Sequence, residues 1–213
     1  MNVLPISRKP SRNRAWSLAE MLVVITVVGF LLAMAAPNLF SLVRASELSS
    51  QGEVLRNWLA QAQQQALSTG NDVEVRFYKF HDLANAQIVD EYRACQSFQR
   101  NDNGDLVPLV EVYRLNEPTM FSRTLSTLLD SSRSGMESGS VDAIAFFGSA
   151  AESDTGRVTY RSFRFRPDGS TDLPKNEQWY LTLVADEGAS PTPKNFFCLQ
   201  IDPFNGTIRD YQP

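Results

Sequence analysis

A single histidine at position 81, two cysteines at 95 and 198, an acidic turn at 101–105 and one carboxylate, Glu20, inside an apolar run are the residues whose types could do chemistry in this chain. His81 follows the apolar stretch VEVRFYKF (73–80) with no cysteine beside it, so it reads as a loop residue rather than a base or a metal ligand. Cys95 and Cys198 lie too far apart for a local zinc knuckle or a C-x-x-C redox pair. A disulfide between them in an exported domain, or two separate thiols on strands, are both open readings. The stretch NDNGD sets Asp102, Asn103 and Asp105 around Gly104. A calcium loop needs further ligands, including a distal bidentate acid, and the chain continues instead as LVPLV, so a polar turn is expected. GMESG (135–139) lacks the serine of a nucleophile elbow, and neither a phosphate-binding glycine loop nor an H-E-x-x-H pair occurs. These patterns point away from an enzyme, and no cofactor or metal is expected.

Glu20 is the residue that needs a reason. From Trp16 to Ala36 the chain is apolar, small or hydroxylic except for this one acid. As a helix those 21 residues extend about 31 Å, enough to cross a bilayer's hydrocarbon core. Residues 1 to 15 hold Arg8, Lys9, Arg12 and Arg14 and no acid, and a basic flank stays on the cytoplasmic side. The remainder, 16–213, carries 16 basic and 24 acidic residues, a formal charge of −8. An acidic body makes a poor phosphate-neutralising face, so nucleic acid is not an expected partner. A carboxylate within a membrane helix costs roughly 2.5 to 3.5 kcal/mol, so such a residue usually has a partner or a task. A cleaved export signal gives it neither, although Ala33, Ala35 and Ala36 supply small residues for that kind of cut.

The elements that position these residues follow from periodicity. After Pro37 the pattern becomes amphipathic, with Leu48, Leu55, Trp58, Leu59, Ala62 and Ala66 among apolar residues at steps of three and four, which predicts a continuing helix over 37–70 ended by Gly70. Pro37 lacks a backbone donor and is expected to bend or loosen one turn. From residue 71 the period falls to two. Val73, Val75 and Phe77 share one strand face, and Tyr92, Ala94, Gln96 and Phe98 another. Further strands are predicted at 109–115, 143–147, 160–166, 178–185, 195–201 and 206–211, with turns at Arg166-Pro167-Asp168-Gly169 and Asn205-Gly206. Residues 130–142, DSSRSGMESGSVD, are polar and aperiodic and are expected to form a mobile loop. The expected class is α+β, a long N-terminal helix packed on an antiparallel sheet domain over 71–213.

The stretch RAWSLAEMLVVITVVGFLLAMAAPNLF resembles the processing signal of type IV pilins and type II secretion pseudopilins. The resemblance implies a leader, 1–15, removed between Ala15 and Trp16, with Glu20 as the fifth mature residue and Pro37 as the twenty-second. The family usually has glycine before the cut and phenylalanine after it; Ala15 and Trp16 keep a small and an aromatic residue there. In the family the glutamate pairs with the new amine of a neighbouring subunit, which would give Glu20 its partner. Helix followed by strands, with FRFRPDGSTDLP, WYLTLVAD and FFCLQIDPFNGTIRDYQP, is similar to the minor pseudopilin GspH family and its minor-pilin relative FimT. EYRACQSF and QIDPFNGTIRDYQP also resemble the Verru_Chthon cassette protein D family. These resemblances imply a pilin-like fold, a single-pass bacterial inner-membrane precursor with a periplasmic domain, and N-methylation at Trp16. The implied partners are other pilin or pseudopilin subunits through the N-terminal helix, a prepilin peptidase and an inner-membrane assembly platform. The competing expectation is a signal-anchored periplasmic binding module that never assembles.

Overall fold

The computed structural model describes residues 16–80, 91–101, 103–142, 157–185, 193 and 195–213, with side chains for all of these except 34–41 and 80. Ala15 and the basic leader, His81, Asp102 and the strand expected at 143–147 lie outside the described residues. The chain divides into two units, one up to Val43 and one from Arg44 onward. One helix, α1 (Leu18–Thr69), supplies residues to both, and its assignment runs through Pro37 without a break.

In the second unit α1 buries one stripe. Leu48, Leu55, Leu59, Ala62 and Ala66 are each no more than 3% exposed, a spacing of seven, four, three and four that keeps one face on the sheet. Burying each leucine contributes roughly 1.5 to 3 kcal/mol. Gln51 and Gly52 fill the long gap in that stripe. Val54 and Leu67, which the sequence pattern also offers to the core, are about half exposed because they fall off this face. The helix stops where the Gly70 amide donates to the Ala66 carbonyl at 3.1 Å, with Gly70 at φ 71°.

Ten strands form one antiparallel sheet among the described residues. They are β1 (Val73–Phe80), β2 (Glu91–Arg100), β3 (Leu106–Pro108), β4 (Tyr113–Arg114), β5 (Met120–Phe121), β6 (Glu137–Asp142), β7 (Arg157–Phe165), β8 (Trp179–Val184), β9 (Phe196–Ile201) and β10 (Ile208–Tyr211). The order is β10-β9-β8-β5-β2-β1-β7-β6, and β3 and β4 also pair with β2. Val73, Val75 and Phe77 of β1 face the helix and are fully buried, as period two requires. Phe163 and Phe165, Leu181 and Leu183, and Phe197 and Leu199 extend that face across the sheet. On the opposite face Tyr78, Ala94 and Val158 form a smaller cluster. There the Arg76 guanidinium donates to Glu74 at 2.7 Å and lies over the rings of Phe98 and Tyr160, at 4.4 and 4.3 Å.

Two expectations change, and one segment without an expectation takes a part in the sheet. Residues 137–142 are not loop: they form β6, paired in register with β7 from Glu137 opposite Ser162 to Asp142 opposite Arg157. No residue of β6 is fully buried on either face, so ESGSVD has no apolar alternation to show. The strand expected at 109–115 is instead the pair β3 and β4, interrupted where Gln96 reaches the Val110 carbonyl at 3.0 Å. The segment after β5, which has no strand pattern, lines the edge of β8. Ser122 donates its amide to the Thr182 carbonyl at 2.8 Å. The hydroxyls of Ser126 and Thr127 then accept from the amides of Thr182 and Tyr180, at 2.9 and 2.6 Å. Side-chain oxygens stand in there for a missing strand's carbonyls.

Candidate assembly surface

The first unit's described side chains begin at Trp16, and Trp16 is 61% exposed. Met21, Leu22, Val23, Val24 and Ile25 are consecutive, large, apolar and all exposed. Since successive helical residues turn by about 100°, five in a row cover every side of the helix. Val27, Val28, Phe30, Leu31 and Leu32 repeat the pattern one turn on. The Thr26 hydroxyl donates back to the carbonyls of Leu22 and Val23, at 3.0 and 2.8 Å, so it offers no donor outward. A helix apolar all round is one that other apolar groups surround.

Glu20 stands in the first turn. Its amide bonds to the Ser17 hydroxyl at 3.2 Å and to the Ser17 carbonyl at 3.1 Å, which makes Ser17 the helix cap. Ser17-Leu18-Ala19-Glu20 thus has the S-x-x-E spacing of a capping box, and an acid at this position also suits the helix dipole. The spacing is present in the sequence itself, within the apolar run. Among the described residues no helix is long and apolar enough to cross a membrane. The expected span over 16–36 is thus not supported, and its residues 34–36 lie beyond those whose side chains are described.

Of the two open readings for Cys95 and Cys198, the structure has the separate thiols: both are free. Cys95 lies on β2 in the helix-side core, whereas Cys198 on β9 alternates with the buried Phe197 and Leu199 and so points to the other face. Strands β5 and β8 separate them in the sheet, a distance of about 14 Å at normal strand spacing, and a disulfide needs Cα atoms within about 7 Å. Burial pushes the Cys95 thiol far above its ordinary range. Burial also raises Cys198, partly offset by a hydrogen bond with Thr182. At 101–105 the Asn101 side chain accepts from the Asp105 amide at 2.7 Å, and the Gly104 amide bonds to the Asn101 carbonyl at 2.9 Å, a self-satisfied turn. No group of three or more potential metal ligands occurs among the described residues. Glu137 of GMESG begins β6 and pairs with Arg164.

Two polar anchors of the helix are absent from the pattern-based reading. Gln51 accepts from the Asn116 amide at 2.9 Å and donates to the Thr119 hydroxyl at 3.2 Å. Gln63 donates to the carbonyls of Gly169 and Asn205, at 3.0 and 2.7 Å, holding two turns at once. A glutamine in an amphipathic helix gives no sign of which loop it will meet.

No family model matches this chain, and no curated protein matches it. Among solved structures it is similar to the minor pseudopilin EpsH from the Type 2 Secretion System of Vibrio cholerae, at 12% sequence identity and a TM-score of 0.40, with 78% of this chain and 98% of that chain covered.

Proposed function

We propose that this chain is a minor pilin or pseudopilin, a structural subunit of a type II secretion pseudopilus or type IV pilus-like filament. The supporting observation is the N-terminal helix, apolar on every side over 21–25 and entered through a single carboxylate, Glu20. Surrounded by like helices, that surface is buried in an assembly. Before assembly, the inner membrane holds it, with the sheet domain in the periplasm. Cutting after Ala15 by a prepilin peptidase frees an amine at Trp16, which is then N-methylated. In the filament Glu20 pairs with the amine of a neighbouring subunit, and the assembly platform and the other subunits are the partners.

Co-expression with a prepilin peptidase followed by N-terminal sequencing tests this reading. A mature chain beginning at Trp16 is expected; an uncut chain, or one cut in the 33–36 region, overturns it.

The Ser17 cap favours a second reading, in which Glu20 serves only its own helix and the chain is a signal-anchored periplasmic binding module that does not assemble. Co-fractionation with sheared filaments separates the two, since only a filament subunit sediments with them.

A further inference from the structure

The chain holds two Asn-Gly junctions, Asn103-Gly104 between β2 and β3 and Asn205-Gly206 between β9 and β10. An asparagine followed by glycine can close a five-membered ring on itself, because glycine has no side chain to shield its amide nitrogen. Closure requires the peptide plane between the two residues to swing until that nitrogen reaches the asparagine Cγ. The fold restrains the two planes unequally.

At 205–206 the plane is held at both ends. The Asn205 carbonyl accepts from Gln63 at 2.7 Å, and the Gly206 amide donates to the Asp202 carbonyl at 2.8 Å. The Asn205 side-chain oxygen is occupied as well, by the Thr207 amide at 2.9 Å. Gly206 is buried, and a Cβ on it would lie 2.4 Å from the Gly169 carbonyl oxygen, so the plane has no room to turn. At 103–104 the plane is held at one end, where the Gly104 amide donates to the Asn101 carbonyl at 2.9 Å. The Asn103 carbonyl and side chain have no hydrogen-bond partner among the described residues. Both residues are exposed, and nothing lies within 4 Å of where a Cβ on Gly104 would stand.

We propose that Asn103 is a self-modification site, converted to isoaspartate and aspartate, and that the fold protects Asn205 from the same reaction. The Gly104 amide gives its proton to hydroxide and its nitrogen attacks Asn103 Cγ; the bond from Cγ to the side-chain nitrogen breaks, and ammonia leaves with a proton from water. Water then opens the succinimide. Attack at Cγ restores the main chain as aspartate, and attack at the backbone carbonyl routes the chain through Cγ as isoaspartate. One water is consumed and one ammonia released. Either product adds a negative charge to the turn that holds Asp105, and isoaspartate also adds a main-chain carbon between β2 and β3. The inference does not depend on whether the chain assembles into a filament.

The test incubates the full chain in detergent at mildly alkaline pH and maps its peptides by mass spectrometry with separation of aspartate from isoaspartate. Asn103 is expected to convert, with isoaspartate in excess and faster as the pH rises, while Asn205 stays intact. In denaturant, where neither turn is held, the two junctions are expected to convert at similar rates. Asn103→Gln serves as the blank for the turn. An Asn103 that stays intact in the folded chain, an Asn205 that converts there as fast as Asn103, or aspartate formed without isoaspartate overturns the proposal.

Discussion

Gly52 meets the sheet more closely than any side chain would allow. A Cβ built on it lies 2.3 to 2.5 Å from the ring atoms of Phe197, which is itself fully buried. The ring has no room to retreat in a close-packed interior. Gly52→Val is therefore expected to destabilise the sheet unit by about 1 to 3 kcal/mol, read as a lowered midpoint in thermal unfolding of the full chain by near-ultraviolet circular dichroism. Gly29→Ala is the control, because nothing lies within 4 Å of the position its methyl would take. The sequence hides this distinction: both glycines sit in helical pattern, and only the packed one is constrained by its neighbour. Ser17 is the opposite case, since its spacing to Glu20 spells out the cap that the structure forms.

At the scale of elements, the first unit's helix carries the functional reading and the second unit's stripe carries stability. Glu20→Leu separates the two uses of that carboxylate. On the filament reading, cleavage after Ala15 continues while incorporation falls sharply, because removing one member of a buried ion pair costs roughly 3 to 5 kcal/mol. Immunoblots of sheared filaments measure it, and undiminished incorporation leaves the capping role alone. Most of the helix and the long strands were legible from periods of 3.6 and 2, as with Leu55-Leu59-Ala62-Ala66 and Val73-Val75-Phe77. The turns at 166–169 and 202–206 were legible from Pro-Asp-Gly and Asn-Gly: the Gly169 amide closes on the Arg166 carbonyl at 2.9 Å, and Gly206 takes φ 65°. Edge strand β6 and the hydroxyl-lined edge of β8 were not, because backbone pairing there proceeds without an apolar period.

For the whole molecule, strand order decides what the cysteines do. Order is a property of long-range pairing, which local patterns do not encode, so an even choice between bridge and thiols in the sequence resolves only when β5 and β8 are seen between them. The expected outcome under oxidising conditions is two free thiols by mass spectrometry after alkylation. Cys198, half-buried on the outer face, is expected to react in the folded chain, and Cys95 only after denaturant exposes it. A molecule that shows an intramolecular bridge without unfolding contradicts this strand order.

Gln63 has a consequence for how the second unit responds to force. Its one amide grips the carbonyls of residues 169 and 205, and a Cβ on Gly206 would lie 2.5 Å from its nitrogen. The β9–β10 hairpin and the chain after it are fastened to the helix again at Arg56, which pairs with Asp210 at 3.2 Å, and at Ser49, whose hydroxyl donates to Gln212 at 3.1 Å. A tug on Phe204 therefore reaches the second-last turn of α1 through Gln63 as well as running along the hairpin. Fastened at residues 49, 56 and 63, seven apart and so on one face of the helix, the two resist being peeled apart from either end.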